Sequence, residues 1–565
     1  MSAVSREREQ ADQIAAPLDV LLVDAAQGTA KRFLPNSSSV KLTAKLASSP
    51  RATARTVGSL LGELAKITAG KSALEAPPKD PRFTDSAWKH NPFLKRAMQA
   101  HLATNHTLEQ LVDLADLDWR DDRRVRFFLT NVAEALSPSN VPLVNPVSAR
   151  TALEYGGLSL LRGAANFVND MKSAPRIPNM VDSSGFKVGE NIAVTPGSVV
   201  FRTDVFELIQ YRPQTEMVKS KPLLFVPPTI NKFYATDLAP GRSMVEFLVQ
   251  NGQQVFVMSW RNPDKSHADW GATTYVQAVL DAMGACEQVT GSDQTLLIGA
   301  CSGGILASLT AGYLAATNQL DRLAAFTLLV TVLDNTKAGE AAAFGSAGAA
   351  EAAKALSRRI GYLDGNRLAE GFAWLRPGDL IWRYWVNNYL CGNQPPAFDI
   401  LFWNSDVTRM PAQLHADFID MGLDNSLTRP AGVSIDGIPI DLSKVDTDTY
   451  VLAGISDHIT PWQNCYRSVQ ILGSQSRFVL SRSGHIAALV NPPTNAKASF
   501  QVNSEPAADA QEWLDGATRE QGSWWPDWAA WLGQRAGEDM PAPEVLGGPD
   551  HQPLADAPGT YVLEK

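Results

Sequence analysis

Residues 297–306 read LIGACSGGIL and combine a potential nucleophile with the glycines of a sharp turn. Gly299 and Gly303 stand two positions either side of Cys301, which is the spacing of the G-x-S-x-G nucleophile elbow with a thiol at its centre. An apolar run before the turn and helix-forming residues after it predict a strand–turn–helix, and the N–H groups of a helix N-terminus favour a thiolate. We therefore predict that Cys301 is a nucleophile, against the alternative of a small buried Cys.

An acid and a base for this thiol should follow later strands, since the chain order of an α/β-hydrolase is nucleophile, acid, base. Asp457 comes just after the apolar run at 449–453. His485 comes after the run at 477–480, in a Ser-Gly-His turn, and none of the other His residues stands at such a strand end. We predict that His485 is the general base and that Asp457 is the acid that orients it. Asp334, at the end of an earlier run, is the alternative acid.

Two backbone N–H groups are needed to stabilise the oxyanion of an acyl-transfer reaction. Ser302, directly after the thiol, should supply one of them, and its hydroxyl is the alternative nucleophile. The other should come from the PPTINKF loop that follows the apolar run at 223–226. The two prolines that open this loop have no N–H, so Thr229 or Ile230 is the expected donor.

Predicted strands and helices alternate along the chain from about residue 190 onward. Short apolar runs stand at 223–226, 254–260, 295–300, 324–334, 448–457 and 477–485. Helical stretches separate the early ones, which predicts a mostly parallel sheet covered on both faces, and with the elbow an α/β-hydrolase fold. The alternation stops between about 335 and 440, where a long segment dense in aromatic residues is too apolar for a loop.

The sequence predicts a division of the chain into five parts. They are a polar, partly helical segment (1–85), a mainly helical N-terminal domain (86–200), the first part of the hydrolase core (201–334), an inserted helical cap (335–440) and the second part of the core with a Trp-rich end (441–565).

Two segments carry bulky apolar residues at helical spacing. In 51–68 these are Val57, Leu60, Leu61, Leu64 and Ile67. In 523–533 they are Trp524, Trp525, Trp528 and Trp531. We predict a helix at 51–68 that packs on the protein, the alternative being an amphipathic surface that contacts a hydrophobic body. We interpret the four Trp side chains as packing and not as part of the site.

Composition excludes several classes of protein. The net charge of −9 over 565 residues and the lack of a long Lys/Arg tract argue against a nucleic-acid binder. The four Cys residues form no C-x-x-C pair, so neither a zinc site nor a disulfide framework is expected, and a reduced, cytoplasmic setting fits. The N-terminus lacks the apolar region of a secretory signal, and no apolar window is long enough to predict a transmembrane helix.

Several longer motifs in order give the chain a family resemblance. They are PPTINKFYATDLAPGRSMVEF, VFVMSWRNPDKSHADWG, GACSGG, GDLIWRYWVNNYL, FDILFWNSDVTRMPAQLH, AGISDHITPWQNCYRS and SGHIAALVNPP. From about residue 80 to the C-terminus the chain resembles the polyhydroxyalkanoate synthases, closest to the single-subunit medium-chain and actinobacterial type.

The resemblance implies that (R)-3-hydroxyacyl-CoA is polymerised to a polyester with release of CoA. By carry-over, Cys301 would hold the acyl chain, His485 would be the general base and Asp457 the acid. No metal or prosthetic group is expected, since CoA is only the leaving group of the substrate. The resemblance also implies a homodimer at the surface of a polyester granule. The alternatives are a hydrolase of the same fold, either an acyl-CoA thioesterase or a polyester depolymerase, and a non-catalytic granule-coat protein.

Overall fold

The apolar runs of the sequence form the strands of one large sheet. The structure, a computed structural model, describes residues 22–23, 25–26, 37–78, 80–335, 347–474 and 476–565. Within these residues the sheet has 11 strands. They are β1 (Gly197–Arg202), β2 (Phe206–Tyr211), β3 (Pro222–Val226), β4 (Gln254–Trp260), β5 (Thr295–Ala300), β6 (Leu323–Leu329), β7 (Thr449–Gly454), β8 (Ser476–Ser481), β9 (Ser499–Val502), β10 (Thr518–Gln521) and β11 (Ala555–Asp556).

The centre of this sheet is parallel and its two sides are antiparallel. The order across the sheet is β10-β9-β8-β7-β6-β5-β3-β4-β2-β1-β11. All neighbours from β8 to β4 pair in parallel, whereas the outer pairs are antiparallel. The sequence predicted the parallel centre, and the antiparallel sides are an addition that only the structure shows. The first strand begins at Gly197, earlier than the expected start of the core at residue 201.

Both faces of the parallel centre are buried. In β3, Leu224 and Val226 belong to one hydrophobic cluster, while Leu223 and Phe225 belong to another. Successive side chains of a strand point to opposite faces, so the two clusters lie on opposite sides of the sheet. Burial on both faces explains why these strands read as continuous apolar runs and not as alternating patterns.

Helices surround the sheet and form the N-terminal region. Before the sheet come α1 (Ser37–Ser48), α2 (Pro50–Thr68), α3 (Ala87–His90), α4 (Pro92–Ala115), α5 (Trp119–Ala135), α6 (Pro146–Glu154) and α7 (Leu158–Met171). Between the strands come α8 (Met244–Gln250), α9 (Ala272–Thr290) and α10 (Ser302–Ala316). Helix α2 confirms the helix predicted at 51–68, and it packs against α4. The earlier part of the segment predicted as partly helical lies largely outside the described residues.

Between β6 and β7 the structure describes a mainly helical stretch, here called the inserted segment (residues 347–440). Its helices are α11 (Ala347–Ile360), α12 (Gly365–Leu375), α13 (Asp399–Ser405) and α14 (Ala412–Leu423), with π-helical stretches at Gly378–Trp382 and Trp385–Leu390. Residues 336–346 of the predicted cap lie outside the described residues. Helix α7 packs on this segment, where the Phe167 ring meets the rings of Trp385 and Tyr389 edge-on, with centroids 5.9 Å and 5.3 Å away.

The remaining helices follow β7 and complete the second part of the core. They are α15 (Trp462–Ile471), α16 (His485–Leu489), α17 (Ala510–Asp515) and α18 (Trp525–Gly533). Because β3, β5, β7 and β8 are parallel, their carboxyl ends lie at one edge of the sheet. The loop with Thr229 and Ile230, Cys301, Asp457 and His485 each follow one of these ends. The parallel centre therefore gathers the predicted site residues at a single edge.

Replacing Gly303 by Ala tests how tightly the elbow is packed. A Cβ atom on Gly303 would lie 2.5 Å from the carbonyl oxygen of Val226, so we expect Gly303→Ala to lower the free energy of unfolding by about 1–3 kcal/mol. Gly284→Ala is the matched control, since that glycine lies within α9 and a Cβ atom there meets nothing within 4 Å. The control should be neutral or stabilising by up to about 1 kcal/mol. Urea unfolding of both variants measures the difference, and equal midpoints would contradict the prediction.

Candidate active site

Cys301 occupies a strained turn between β5 and α10. Its backbone has φ of 51° and ψ of −122°, and a positive φ is uncommon for any residue other than glycine. A Cβ atom built on Gly299 would lie only 2.6 Å from the Cα atom of Gly304. The glycines that the sequence marks as elbow residues are thus required because the backbones approach closely. Strain of this kind is concentrated at functional sites.

His485 and Asp457 meet directly in the structure. His485 begins α16 after β8, and Asp457 follows β7. The Nδ1 atom of His485 lies 2.6 Å from Oδ2 of Asp457, and the two residues are only 6% and 2% exposed. The Cys301 sulfur lies near enough to the same imidazole to help raise its pKa. With Nδ1 engaged by Asp457, Nε2 is the ring nitrogen left to face the sulfur, so the structure brings together the three residues that the sequence selects.

Thr460 is a member of this group that sequence reasoning missed. Its hydroxyl donates a hydrogen bond of 2.5 Å to Oδ2 of Asp457 and lies 3.1 Å from Nδ1 of His485. The backbone N–H groups of Ile459 and Thr460 donate to the other carboxylate oxygen at 2.8 Å and 2.9 Å. An Asp followed by Thr three residues later is a common local hydrogen-bonding pattern. The DHIT tetrapeptide carries that signal, which could have indicated Thr460.

Charge on the neighbours dominates the protonation of His485. Burial by itself would lower the pKa of the imidazole, but the Asp457 carboxylate and the Cys301 sulfur raise that pKa to about 10. Burial would likewise raise the pKa of Asp457, yet the facing imidazole and the bonds from Thr460 hold it below its usual value. The site is therefore built to hold a protonated imidazole between a carboxylate and a sulfur.

The loop after β3 lies beside the elbow, and its contacts distinguish between Thr229 and Ile230 as the second oxyanion donor. The N–H of Thr229 donates to the Ser302 hydroxyl at 3.0 Å, so this N–H is already engaged. Within the described part of the chain, the N–H groups of Ser302 and Ile230 donate no hydrogen bond to the protein. These two groups are thus available to a ligand, whereas that of Thr229 is not. The Ser302 hydroxyl is held by Thr229 and not by His485, which disfavours it as a nucleophile.

The alternative acid, Asp334, has other partners. Its carboxylate accepts a hydrogen bond of 3.0 Å from Asn425 and faces Arg467 at 3.6 Å. The imidazole of His485 contacts Asp457 instead. Asp334, which follows β6, therefore contacts Asn425 of the inserted segment and Arg467 of α15, and not His485.

Burial determines the environment of two other His and two other Cys residues. His458 lies next to Asp457 in sequence, but burial lowers its pKa to about 4. His415 is buried and bonds the Leu22 carbonyl through Nε2 at 3.2 Å. Burial raises the pKa of the Cys286 and Cys465 thiols well above the usual value, so these thiols stay protonated.

The Trp-rich end supports the base instead of joining the site. The indole N–H groups of Trp524 and Trp525 donate to the carbonyls of Ala488 and Leu489 at 2.8 Å and 3.1 Å. These carbonyls belong to α16, the short helix that begins with His485. Both indoles are buried. The packing role predicted for these residues is thus confirmed, and it includes anchoring of the helix that carries the base.

Metal-site clusters and membrane-spanning helices are both absent from the described residues. No cluster of three or more His, Cys, Asp or Glu side chains has the arrangement of a metal site. No helix among these residues has both the length and the apolar character to cross a bilayer.

Comparison with known proteins gives matches along most of the chain. Residues 79–248 match the family model described as "Poly-beta-hydroxybutyrate polymerase (PhaC) N-terminus". Residues 228–492 match the model of the alpha/beta hydrolase fold. Poly(3-hydroxyalkanoate) polymerase 2 of Ectopseudomonas oleovorans is 45% identical over 516 residues, which cover 91% of this chain and 92% of that protein. The chain belongs to the poly(3-hydroxyalkanoate) polymerase family.

Further relatives within the polymerase family confirm this assignment. Poly(3-hydroxyalkanoate) polymerase 1 of the same organism is 46% identical over 89% of this chain and 90% of its own length. The polymerase subunit PhaC of Cupriavidus necator is 38% identical over 88% and 85%. The family resemblance and the α/β-hydrolase fold predicted from the sequence are both confirmed.

Solved structures align with the polymerase fold only distantly. Brefeldin A esterase, a bacterial homologue of human hormone-sensitive lipase, has 13% identity and a TM-score of 0.34, covering 69% of this chain and 93% of its own. An esterase from Exiguobacterium antarcticum has 13% identity and a TM-score of 0.30, covering 51% and 92%. These alignments do not bear on the chemistry of the site.

Asp457→Asn should lower the pKa of His485 from about 10, because a neutral amide cannot stabilise the imidazolium as a carboxylate does. NMR titration of the imidazole measures this shift. Asp334→Asn is the matched control and should leave the His485 titration in place, since Asp334 contacts Asn425 and Arg467. A larger effect from the Asp334 variant would identify it as the acid instead.

The same raised pKa links stability to pH. The imidazole is held protonated in the folded chain up to about pH 10, whereas in an unfolded chain it titrates near about 6.5. Its contribution to stability is therefore complete below about pH 6.5 and is lost as the pH rises towards 10. The stability difference between the unmodified protein and His485→Gln should shrink over this range.

Proposed function

We propose that this chain polymerises (R)-3-hydroxyacyl-CoA thioesters into a polyester, with release of CoA, through an acyl group carried on Cys301. The observation that supports the proposal most directly is the buried His485–Asp457 pair, whose imidazole is also influenced by the nearby Cys301 sulfur at the edge of the sheet. It occurs in a member of a polymerase family whose relatives match nine-tenths of the chain.

The first step transfers the acyl group from CoA to the enzyme. The Cys301 sulfur attacks the thioester carbonyl carbon and forms a new C–S bond, while the carbonyl oxygen becomes an oxyanion that accepts from the N–H groups of Ser302 and Ile230. The intermediate then expels the CoA thiolate, which takes a proton from the His485 imidazolium. The products are free CoA and an acyl thioester on Cys301.

The second step lengthens the polymer. The 3-hydroxyl of another acyl unit loses its proton to the neutral His485 and attacks the Cys301 thioester, so that an oxoester bond forms and the C–S bond breaks. The Cys301 thiolate and the His485 imidazolium are restored together. Asp457 and Thr460 hold the imidazole in one orientation and stabilise its charge throughout.

A thiol suits this sequence of steps better than a hydroxyl. Exchange of one thioester for another loses little free energy, and the acyl group on Cys301 stays reactive towards an alcohol. An acyl serine would be an oxoester, as stable as the product, and would trap the chain. Because the substrate arrives as an activated thioester, the proposed chemistry requires no metal or prosthetic group.

Exclusion of water is essential, because water at the acyl thioester would end the chain by hydrolysis. Cys301 and His485 are each only 6% exposed. The inserted segment contacts the loop beside the elbow through Thr408, which donates to the Thr229 and Ile230 carbonyls. We propose that residues 335–440 act as the cap that covers the site, between core parts at 201–334 and 441–565.

We propose that the chain is of the single-subunit, medium-chain type that its sequence motifs resemble. The chain is 45% and 46% identical to the two polymerases of Ectopseudomonas oleovorans, and 38% identical to a polymerase named as a subunit. We propose that the chain acts without a second kind of subunit, and as a homodimer by family resemblance. Sedimentation of the purified protein tests its state of association.

The assay that tests the proposal supplies (R)-3-hydroxyoctanoyl-CoA and (R)-3-hydroxybutyryl-CoA to the purified protein. Release of CoA together with polymer is the expected result, with faster turnover of the longer substrate. Cys301→Ala should reduce both products to background, because no acyl thioester can form. Cys286→Ala is the matched control and should keep activity, since that Cys is fully buried within α9 and belongs to a different hydrophobic cluster from Cys301.

Two other outcomes would contradict the proposal. Release of free hydroxy acid and CoA from hydroxyacyl-CoA, with no polymer formed, would identify a thioesterase. Release of hydroxy acid from added polymer would identify a depolymerase. Unchanged polymer yield in cells that express Cys301→Ala would identify a granule-coat protein.

We propose that the chain works in the cytoplasm at the surface of its own product, a polyester granule. Helix α7 supports this with exposed apolar side chains on one face, Leu158, Leu161 and Val168, while Ser159 and Gly163 face the protein. Such clusters mark contact with apolar partners. The product is an apolar polyester, and its surface is the occupant that matches this face.

Leu161→Lys with Val168→Lys should weaken binding to polyester particles by at least about tenfold. Burial of one such side chain contributes about 1.5–3 kcal/mol, and 1.4 kcal/mol corresponds to a factor of ten in affinity. Val545→Lys, at an exposed apolar residue elsewhere, is the control and should bind as the unmodified protein does. Co-sedimentation with poly(3-hydroxybutyrate) particles measures the effect, and equal binding of all variants would refute the role of this face.

A further inference from the structure

We infer that Thr408, in the inserted segment, is a positioning residue that aims the Ile230 N–H at the oxyanion of the acyl-transfer step. The inference deepens the proposed function and rests on acylation of Cys301. Thr408 itself contacts neither Cys301 nor His485 through any hydrogen bond of the described residues. Its effect is exerted through the loop after β3.

Two hydrogen bonds join Thr408 to this loop. Its hydroxyl donates to the carbonyl oxygen of Thr229 at 3.1 Å, and its backbone N–H donates to the carbonyl oxygen of Ile230 at 3.1 Å. Thr408 is 5% exposed, so these bonds are shielded from water. The carbonyls that they hold lie on either side of the Ile230 α-carbon.

Because the peptide unit is planar, the bond to the Thr229 carbonyl also fixes the direction of the Ile230 N–H. The Thr229 carbonyl and the Ile230 N–H belong to one trans peptide, in which the C=O and N–H bonds point in opposite directions. Holding the carbonyl against Thr408 therefore directs the N–H away from the inserted segment. On the preceding peptide, the Thr229 N–H is held by Ser302, the residue after the nucleophile. Both peptides of Thr229 are thus fixed, one by the inserted segment and one by the elbow.

Neighbouring contacts keep the loop and the inserted segment together. Asn231 and Val407 form an isolated antiparallel β-bridge. The indole N–H of Trp403 donates to the Lys232 carbonyl at 2.7 Å. Because these contacts do not involve the Thr408 hydroxyl, its removal should loosen the Thr229–Ile230 peptide without releasing the loop.

Thr408→Val is the decisive variant, since it keeps the shape of the side chain and the backbone N–H but removes the hydroxyl. p-Nitrophenyl butyrate is a suitable probe, because its burst of nitrophenolate reports acylation of Cys301 directly. Loss of a whole oxyanion donor costs about 10²–10³ in rate, so a donor that is kept but misaligned should cost about tenfold. We expect the acylation rate constant to fall by that factor with little change in KM. Thr408→Ser retains the hydroxyl and should restore most of the rate.

Alkylation of Cys301 by iodoacetamide separates an oxyanion effect from general damage. Alkylation needs the same thiolate and imidazole but forms no oxyanion, so Thr408→Val should leave its rate unchanged. Thr107→Val is the matched control, because Thr107 is also buried with its hydroxyl on a backbone carbonyl, that of Ala103 at 2.9 Å in α4. This control should change neither rate.

The effects of Thr408→Val on the burst and on alkylation together test the inference. A slower burst with unchanged alkylation and rescue by Thr408→Ser supports the inference. An unchanged burst, or equal losses in both reactions, overturns it. The proposed polymerase function fails separately, if the unmodified protein gives a burst with the ester but no polymer from hydroxyacyl-CoA. A burst that persists in Cys301→Ala would overturn both.

Discussion

The buried contact between Asp457 and His485 is the interaction on which the site depends. A carboxylate taken out of water is strongly destabilising unless it is paired and hydrogen-bonded. Asp457 meets this demand with the imidazole on one oxygen and two backbone N–H groups on the other, while the Thr460 hydroxyl bridges carboxylate and ring. The same arrangement keeps the imidazole charged beside the Cys301 sulfur. One set of contacts therefore both stabilises the buried Asp457 carboxylate and keeps a charged imidazole beside the Cys301 sulfur.

The sheet makes this contact possible by bringing distant parts of the chain to one edge. Cys301 and His485 are far apart in sequence, yet β5 and β8 end on the same side of a continuous parallel sheet. The C-terminal part and the inserted segment then hold these residues in position. Trp524 and Trp525 anchor the short helix of His485 from the C-terminal part, and Thr408 holds the loop after β3 from the inserted segment. Residues that make no hydrogen bond to Cys301 or His485 thus hold the elements of the site in place.

Sequence reasoning succeeded where a residue is constrained by local geometry. The glycines around Cys301 are required by a turn that permits no Cβ, and the central strands are continuous apolar runs because both faces of the sheet are buried. It left open what depends on partners far along the chain. Asp457 and Asp334 both follow strands, and only the packing of Asn425 and Arg467 around Asp334 shows that it serves another contact. The antiparallel sides of the sheet were likewise not predicted, because pairing direction leaves little trace in short strands.

Residue types and their order at strand ends were enough to select a Cys, an acid and a base, and the long motifs were enough to indicate the family. Which oxygens and N–H groups lie free beside those residues could be seen only in the folded chain. Thr229 was excluded as an oxyanion donor because Ser302 already engages its N–H, and Thr460 entered the site because the chain folds its hydroxyl between Asp457 and His485. These differences depend on the direction in which each donor and acceptor points in the folded chain. A sequence shows which donors and acceptors exist, but only folded packing determines which of them are already satisfied and which remain free for a substrate.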